Sequence, residues 1–222
     1  MPVNATLPPV RALLLDMDGT LVDSDAVVER CWHRFADTHG LDRAEALRVA
    51  HGRQGHLTMA LLLPDRPAEL NLADNARMLA DEKADVEGVV AVPGAAAFLA
   101  SLAGLPHALV TSADEPLARV RMAAAGLPLP SVLVTAESVG ASKPDPEGFL
   151  KGAAALGFAP ADCLAFEDSE AGIAAALAAG MPVVGIGPRA AAHHPTAHAL
   201  TLEAVTVTAA PDGALTVGIA GR

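Results

Sequence analysis

Three leucines run straight into Asp16 and Asp18: LLLDMDGTLVDSD, residues 13–25, sets two carboxylates two positions apart beside a Gly-Thr turn. A second acidic pair, Glu167 and Asp168, ends the apolar run DCLAFED at 162–168; another run ends on Thr111 and Ser112, and Lys143 stands in the loop GASKPDPEGF. Carboxylates crowded together repel one another and raise one another's pKa values unless something positive sits among them. Mg2+ meets that need, because it takes hard oxygen ligands and keeps some of its water. Lys143 is a second cation, and the hydroxyl and backbone N–H groups at Thr111 and Ser112 are suited to phosphate oxygens. Together these residue types point to phosphoryl transfer.

Asp16 and Asp168 lie more than 150 positions apart, so the fold has to bring them together. RALLLD (11–16), HALVTS (107–112), SVLVTA (131–136), DCLAFED (162–168) and MPVVGIG (181–187) have strand length and strand composition. Between them lie Ala-rich helical stretches, AAAFLASLAG and SEAGIAAALAAG, whose terminal glycines fit helix C-caps. Strand and helix in alternation predict an α/β fold, a doubly wound parallel sheet of Rossmann type, whose strand ends meet along one edge. Residues 23–89 break the rhythm: DAVVERCWHRFADTHG, LDRAEALRVAHG and AELNLADNARMLADEKADVEG are amphipathic and helical. A helical cap at 23–89, inserted into a catalytic core of 1–22 plus 90–222, is therefore expected. AVTVTAAPDGALTVGIA alternates around a PDG turn and predicts a C-terminal β-hairpin.

DMDGTLVDS, ALVTSADEP, SKPDPEGF and FEDSEAGIAAALAAGM, in that order, resemble the four motifs of the haloacid dehalogenase-like phosphatases. The resemblance spans about residues 10–188, includes the helical insertion, and is strongest toward the sugar-phosphate and polyol-phosphate phosphatases, the glycerol-3-phosphatase branch among them. AVVERCW, HGRQ and VTAESVGASKPDPEGF carry that finer likeness.

The resemblance implies that Asp16 is the nucleophile, forming an aspartyl-phosphate. Asp18 would protonate the leaving alkoxide and then deprotonate water. Mg2+ would be bound by Asp16, the backbone carbonyl of Asp18 and Asp168, with Glu167 helping directly or through water. Thr111, Ser112 and Lys143 would hold the phosphoryl group, and Gly19 would fold its loop back over the metal. The cap loop His51, Gly52 and Arg53 would select the substrate, a small phosphorylated metabolite.

The β-phosphoglucomutases share the four motifs and a helical cap. The resemblance also marks departures from them: Thr20 where they have Val or Ile, Val28 where they have a cap histidine, His51-Gly52 for a Lys-Gly, and Gly55 for an arginine. Those departures favour hydrolysis over transfer. A non-catalytic binding protein on the same fold would be expected to have lost Asp16, Asp18, Lys143 or Asp168, and all four are present.

Simpler roles are expected elsewhere. Asp23 and Ser24 read as an N-cap, Glu170 and Asp145 as first-turn and loop-capping acids, and Trp32 as cap core. His193, His194 and His198 read as solvated loop residues and not as a metal cluster. Cys31 and Cys163, without CxxC spacing, read as buried reduced thiols, which suits the cytoplasm. A formal charge of −11 with 3% aromatics argues against nucleic acid. No apolar run approaches the roughly 18 residues of a membrane span, and MPVNATLPPVR lacks the pattern of a signal peptide. A monomer or small homo-oligomer is expected.

Overall fold

The computed structural model describes residues 5–221; residues 1–4, part of the stretch weighed above as a leader, and Arg222 lie outside it. The chain forms β1 (Ala5–Thr6), β2 (Ala12–Leu15) and β3 (Val22–Asp23), then four helices in succession: α1 (Asp25–His39), α2 (Arg43–Ala50), α3 (Gly55–Leu62) and α4 (Ala68–Ala84). After β4 (Val90–Ala91) helix and strand alternate: α5 (Ala95–Ser101), β5 (His107–Val110), α6 (Glu115–Ala124), β6 (Val132–Val134), α7 (Glu147–Leu156), β7 (Cys163–Glu167), α8 (Glu170–Ala178), β8 (Val183–Ile186), α9 (Gly187–Ala190) and β9 (Ala197–Ala199). The hairpin β10 (Val205–Ala209) and β11 (Leu215–Ile219) ends the fold.

Six parallel strands make the main sheet in the order β6-β5-β2-β7-β8-β9. β2 and β7 are central because ALLL and CLAFE are buried on both faces, as a doubly covered parallel sheet requires. In β2 the side chains alternate: Leu13 and Leu15 pack with Phe98, Leu109 and Phe166, whereas Leu14 packs with Val110, Phe149 and Ala165 on the opposite face. Register sets Leu15 against both Leu109 and Phe166, so Asp16, Val110 and Glu167 leave the sheet side by side.

Each expected strand window holds a strand of this sheet. The sixth, β9, escaped the sequence reading because three residues beside a proline carry no periodicity. It takes His198 out of the loop expected for it: the ring Nε2 lies 2.8 Å from the Gly187 carbonyl oxygen. His193 and His194 stay in the turn before β9, half-buried and exposed respectively. The hairpin is not merely appended, since β1 pairs with β11 to make a three-stranded antiparallel sheet. Its Val205, Leu215, Val217 and Ile219 are buried.

Helix caps follow the sequence closely. Ser169 accepts from the Gly172 N–H, Asp114 from Leu117 and Asp42 from Glu45. Asp145 Oδ1 accepts from the Glu147 N–H and Glu170 opens α8, the loop-capping and first-turn roles expected of them. Helices α1 to α4 occupy residues 25–84 without a strand, and β3 pairs with β4 where the chain leaves and re-enters the main sheet. GHLTMALL at 55–62 is a third helix in this stretch that its sequence pattern did not mark. Cys31 on α1 and Cys163 on β7 are free and buried, as expected. No helix among the described residues is long and apolar enough to cross a membrane.

Candidate active site

Asp16 follows β2 directly and continues its ladder, its N–H bonding the Phe166 carbonyl at 3.0 Å. The chain then turns tightly, with Leu21 and Val22 donating to the Met17 carbonyl and Gly19 to that of Val22. Gly19 has φ +83°, and the space a Cβ would need there is filled by the Asp168 carboxylate. Any side chain at 19 would therefore push the two acidic segments apart.

Lys143 enters from the loop after β6. Its ammonium is buried and donates to Asp16 Oδ1 and Glu167 Oε1, both at 2.6 Å, and to the Val110 carbonyl at 3.1 Å. Those three bonds use all three of its protons. Glu167 is committed on its other oxygen too: Oε2 accepts from the Asp168 N–H, the Ser169 N–H and the Ser169 hydroxyl. Gly172 leaves the room for that carboxylate, for a Cβ there would overlap it. Asp168 Oδ2 accepts from Arg189 Nη2 at 2.8 Å, and the same guanidinium reaches Asp25 Oδ2 at 2.8 Å.

Asp16, Glu167 and Asp168 each bring a carboxylate oxygen within 4.8 Å of the others, all three residues being buried. Burial first, and the Glu167 charge second, hold Asp16 well above the usual carboxylate range. The same two causes push Asp168 up to about 7. Burial works against the Lys143 ammonium, but Asp16 and Glu167 outweigh it and hold its pKa above the ordinary value. So one cation sits where the sequence placed it, and the cluster still carries excess negative charge.

Asp18 is less buried than Asp16, and both its oxygens are held: Oδ1 by the Ser24 hydroxyl at 2.7 Å and Oδ2 by Arg121 Nη1 at 2.8 Å. This alters the expected N-cap. Ser24 stands at the N-cap position of α1 without making a side-chain capping bond, and Asp23 takes the Asp25 N–H instead.

The loop after α2 lies over the strand ends. The Gly52 carbonyl accepts from the Ser112 hydroxyl at 2.9 Å, and the Gln54 N–H donates to the Ser142 hydroxyl at 3.1 Å. Ser112, expected on the phosphoryl group, thus spends its hydroxyl on the cap loop, while the Thr111 hydroxyl accepts only from the Ala113 N–H. Between loop and sheet edge is a cavity of about 100 Å3, lined by Asp16, Asp18, Thr111 and Ser112 on one side and His51, Gly52 and Arg53 on the other. His51 is held below the usual histidine range, chiefly by burial and then by the Arg189 charge.

Residues 10–180 match the family model of haloacid dehalogenase-like hydrolases. The chain belongs to that family. Hexitol phosphatase A of Escherichia coli is 41% identical over 210 residues, covering 91% of this chain and 96% of the relative. Glycerol-1-phosphate phosphohydrolase 1 of Saccharomyces cerevisiae is 31% identical over 190 residues, 80% of this chain and 74% of its own length. The structure of a β-phosphoglucomutase from Clostridium difficile aligns with a TM-score of 0.76 at 19% identity, over 87% of this chain and 92% of its own, a likeness of fold.

In this haloacid dehalogenase-like hydrolase the strand-end residues singled out from sequence converge, and the three cap-loop residues face them across the cavity. Trp32 is 4% exposed, in the core as expected, and also forms part of the cavity wall. The sequence reading passed over three residues: Arg121, Arg189 and Glu82. For Arg121 a signal existed. It shares a buried helical stripe with Leu117, Ala118 and Met122, and an arginine on an apolar stripe demands a partner. Glu82 offered the same kind of signal, on the buried face of α4 with Asn71 and Met78, and Arg189 stands two residues past the run MPVVGIG that ends on Gly187.

Proposed function

We propose that this protein is a phosphoric monoester hydrolase that removes phosphate from a small sugar or polyol phosphate. The reading rests most on one observation: Asp16, with Lys143 on one oxygen, faces the same cavity as Asp18, opposite the cap loop. The names of the hexitol and glycerol phosphatases, at 41% and 31% identity, support the substrate class.

Asp16 attacks phosphorus, the ester P–O bond breaks, and Asp18 gives its proton to the departing alkoxide. Asp18 then takes a proton from water as the water attacks the aspartyl-phosphate, releasing inorganic phosphate and restoring Asp16. Lys143 fixes the Asp16 carboxylate and offsets its charge, and Thr111 has a hydroxyl proton to offer a phosphoryl oxygen. The donor set is wholly hard oxygen with an excess of negative charge, which suits Mg2+. Asp16, Asp168 and the Asp18 backbone carbonyl would hold it. Glu167 has both oxygens committed to Lys143 and to the start of α8, so it acts by holding Lys143 and not as a direct ligand. The ion would neutralise charge on the transferring phosphoryl group.

A phosphoglucomutase reading is weakened by Val28 and Gly55, which line the cavity without a group able to bind or shuttle protons. Free buried thiols support a reducing compartment, the cytoplasm. The test is release of inorganic phosphate, with Mg2+, from hexitol, glycerol and sugar phosphates alongside nucleoside monophosphates and phosphoamino acids. Polyol or sugar phosphates should be turned over well above the rest; no release from any of them contradicts the reading.

A further inference from the structure

The reaction as described leaves Arg121 without a part. It lies on the buried face of α6 at 4% exposure and donates through Nη1 to Asp18 Oδ2 at 2.8 Å. Its Nη2 lies 3.2 Å from Glu82 Oε2 on α4, and Glu82 is itself buried. One residue further, Lys83 Nζ is 2.7 Å from Asp114 Oδ2, the residue that caps α6. Two consecutive residues of α4 thus grip α6, and one of the two grips continues through Arg121 to Asp18.

Among the described residues, Nε and Nη2 of Arg121 are buried without a hydrogen-bond acceptor. A guanidinium in that state is a poor choice for stability alone, since an apolar side chain of like volume serves as well or better. What it does supply is direction. A planar fork anchored at one end fixes where a carboxylate points, and Asp18 has to reach first the ester oxygen and then a water.

We propose that Arg121 is a positioning residue for Asp18, itself held in place from the helical insertion by Glu82. The inference deepens the hydrolase reading and rests on it. Arg121 lines the cavity beside Asp18, and among the described residues its one side-chain hydrogen bond goes to that carboxylate, so its effect on the reaction passes through Asp18. Losing it therefore matters for a substrate whose leaving group needs a proton and little for one that departs unprotonated.

The experiment is single-turnover phosphoryl transfer from a polyol phosphate and from p-nitrophenyl phosphate, in wild type, Arg121→Met, Arg121→Lys, Glu82→Gln, Asp18→Asn and the Asp18→Asn/Arg121→Met double variant. General acid catalysis is worth roughly 10²- to 10⁴-fold. Arg121→Met should accordingly slow the polyol phosphate about 30-fold or more and p-nitrophenyl phosphate by no more than about threefold. Arg121→Lys, which keeps the charge and loses the fork, should show the same split at about three- to tenfold, and so should Glu82→Gln. The double variant should match Asp18→Asn within about twofold, because groups acting as one unit are not additive. Equal losses on both substrates, or losses that multiply in the double variant, overturn the positioning role, and a Glu82→Gln protein identical to wild type overturns the link to α4. If Arg121→Met does not fold, Arg121→Lys and Glu82→Gln carry the comparison. Wild type inactive on every polyol and sugar phosphate sinks the hydrolase reading and this role with it; wild type active with uniform loss in the variants sinks this role alone.

Discussion

The two sides of the cavity are built differently. On the strand-end side Asp16, Lys143, Glu167 and Asp168 are all buried, and Lys143 and Glu167 have every proton or oxygen committed to a named partner. On the helical side His51, Arg53 and Asn75 are half-buried, and among the described residues the Arg53 side chain bonds only the Val49 carbonyl, at 3.1 Å. A phosphoryl group has one shape in every substrate, so the groups that handle it gain from being fixed before binding. The alcohol portion varies, and residues on a loop with spare donors can be exchanged without disturbing the chemistry. On the proposed function, catalysis and selection are divided between a rigid edge and an adjustable cover.

That division predicts losses of different kinds, beginning with the rigid side. Asp16→Asn should lose nearly all turnover, since an amide is a poor nucleophile. Retention of more than about a tenth of the wild-type kcat, a barrier change under about 1.4 kcal/mol, would remove Asp16 from that role. Asp18→Asn should lose roughly 10²- to 10⁴-fold on an alkyl phosphate and less on p-nitrophenyl phosphate in the first step. Its fold should survive, because the amide oxygen of asparagine can still accept from Arg121, and its metal contact should survive because that is a backbone carbonyl; circular dichroism and thermal melting check the fold.

On the adjustable side the expectation is smaller and substrate-dependent. Arg53→Ala should lower kcat/KM for the preferred polyol or sugar phosphate by roughly ten- to a hundredfold if Arg53 makes the contact, the value of one hydrogen bond to a charged donor. His51→Ala should lower it by about two- to tenfold if the contact is from His51, held below the usual histidine range and so a neutral donor near pH 7. Small activated esters should be hydrolysed nearly as before. Wild-type efficiency in both variants would dissolve the contrast between the two sides.

This contrast also explains what the sequence made legible. Asp16, Thr111, Lys143 and Asp168 could be placed because each follows an apolar run, and parallel strand ends share an edge by construction. β2, β5, β7 and β8 were readable because each is buried on most of its length, and the half-buried β6 because VLV is a largely β-branched apolar run. Lateral bonds were not readable. Ser24 to Asp18, Ser112 to Gly52 and Arg189 to Asp168 join segments whose meeting depends on how the helices pack over the sheet, and no periodicity encodes that. β9 was missed because three residues carry no pattern, and α3, although as long as α2, because GHLTMALL is apolar nearly throughout and shows no polar face.

The smallest predicted effect concerns the metal cluster and pH. Asp168 stands at about 7 in the folded protein against an ordinary 3.8, through burial and then the Glu167 charge. A raised folded value means that the fold favours the protonated acid. That stabilising contribution is complete below about pH 4 and is lost as pH rises through about 7. A divalent ion must displace the proton, so Mg2+ binding should strengthen over the same window, by at most about 1.4 kcal/mol per pH unit for one proton. The increase in Tm on adding excess Mg2+ should therefore grow from pH 5 to pH 7, and beyond it as long as Asp16, also held above its ordinary range, keeps a proton for the ion to displace. Asp168→Asn should weaken the dependence between pH 5 and pH 7, and a wild-type increase that is constant across the range would contradict it.

The central claim is that phosphate passes through Asp16, and the Asp18→Asn protein with p-nitrophenyl phosphate tests it most directly. The first step needs no proton for its leaving group, whereas the second lacks its base, so the intermediate should accumulate. Rapid mixing with Mg2+, acid quench and peptide mass spectrometry should show a burst approaching one equivalent of p-nitrophenolate and a phosphoryl group on the peptide carrying Asp16. Steady release of inorganic phosphate with no burst, or a phosphoryl group on any other residue, would contradict the account.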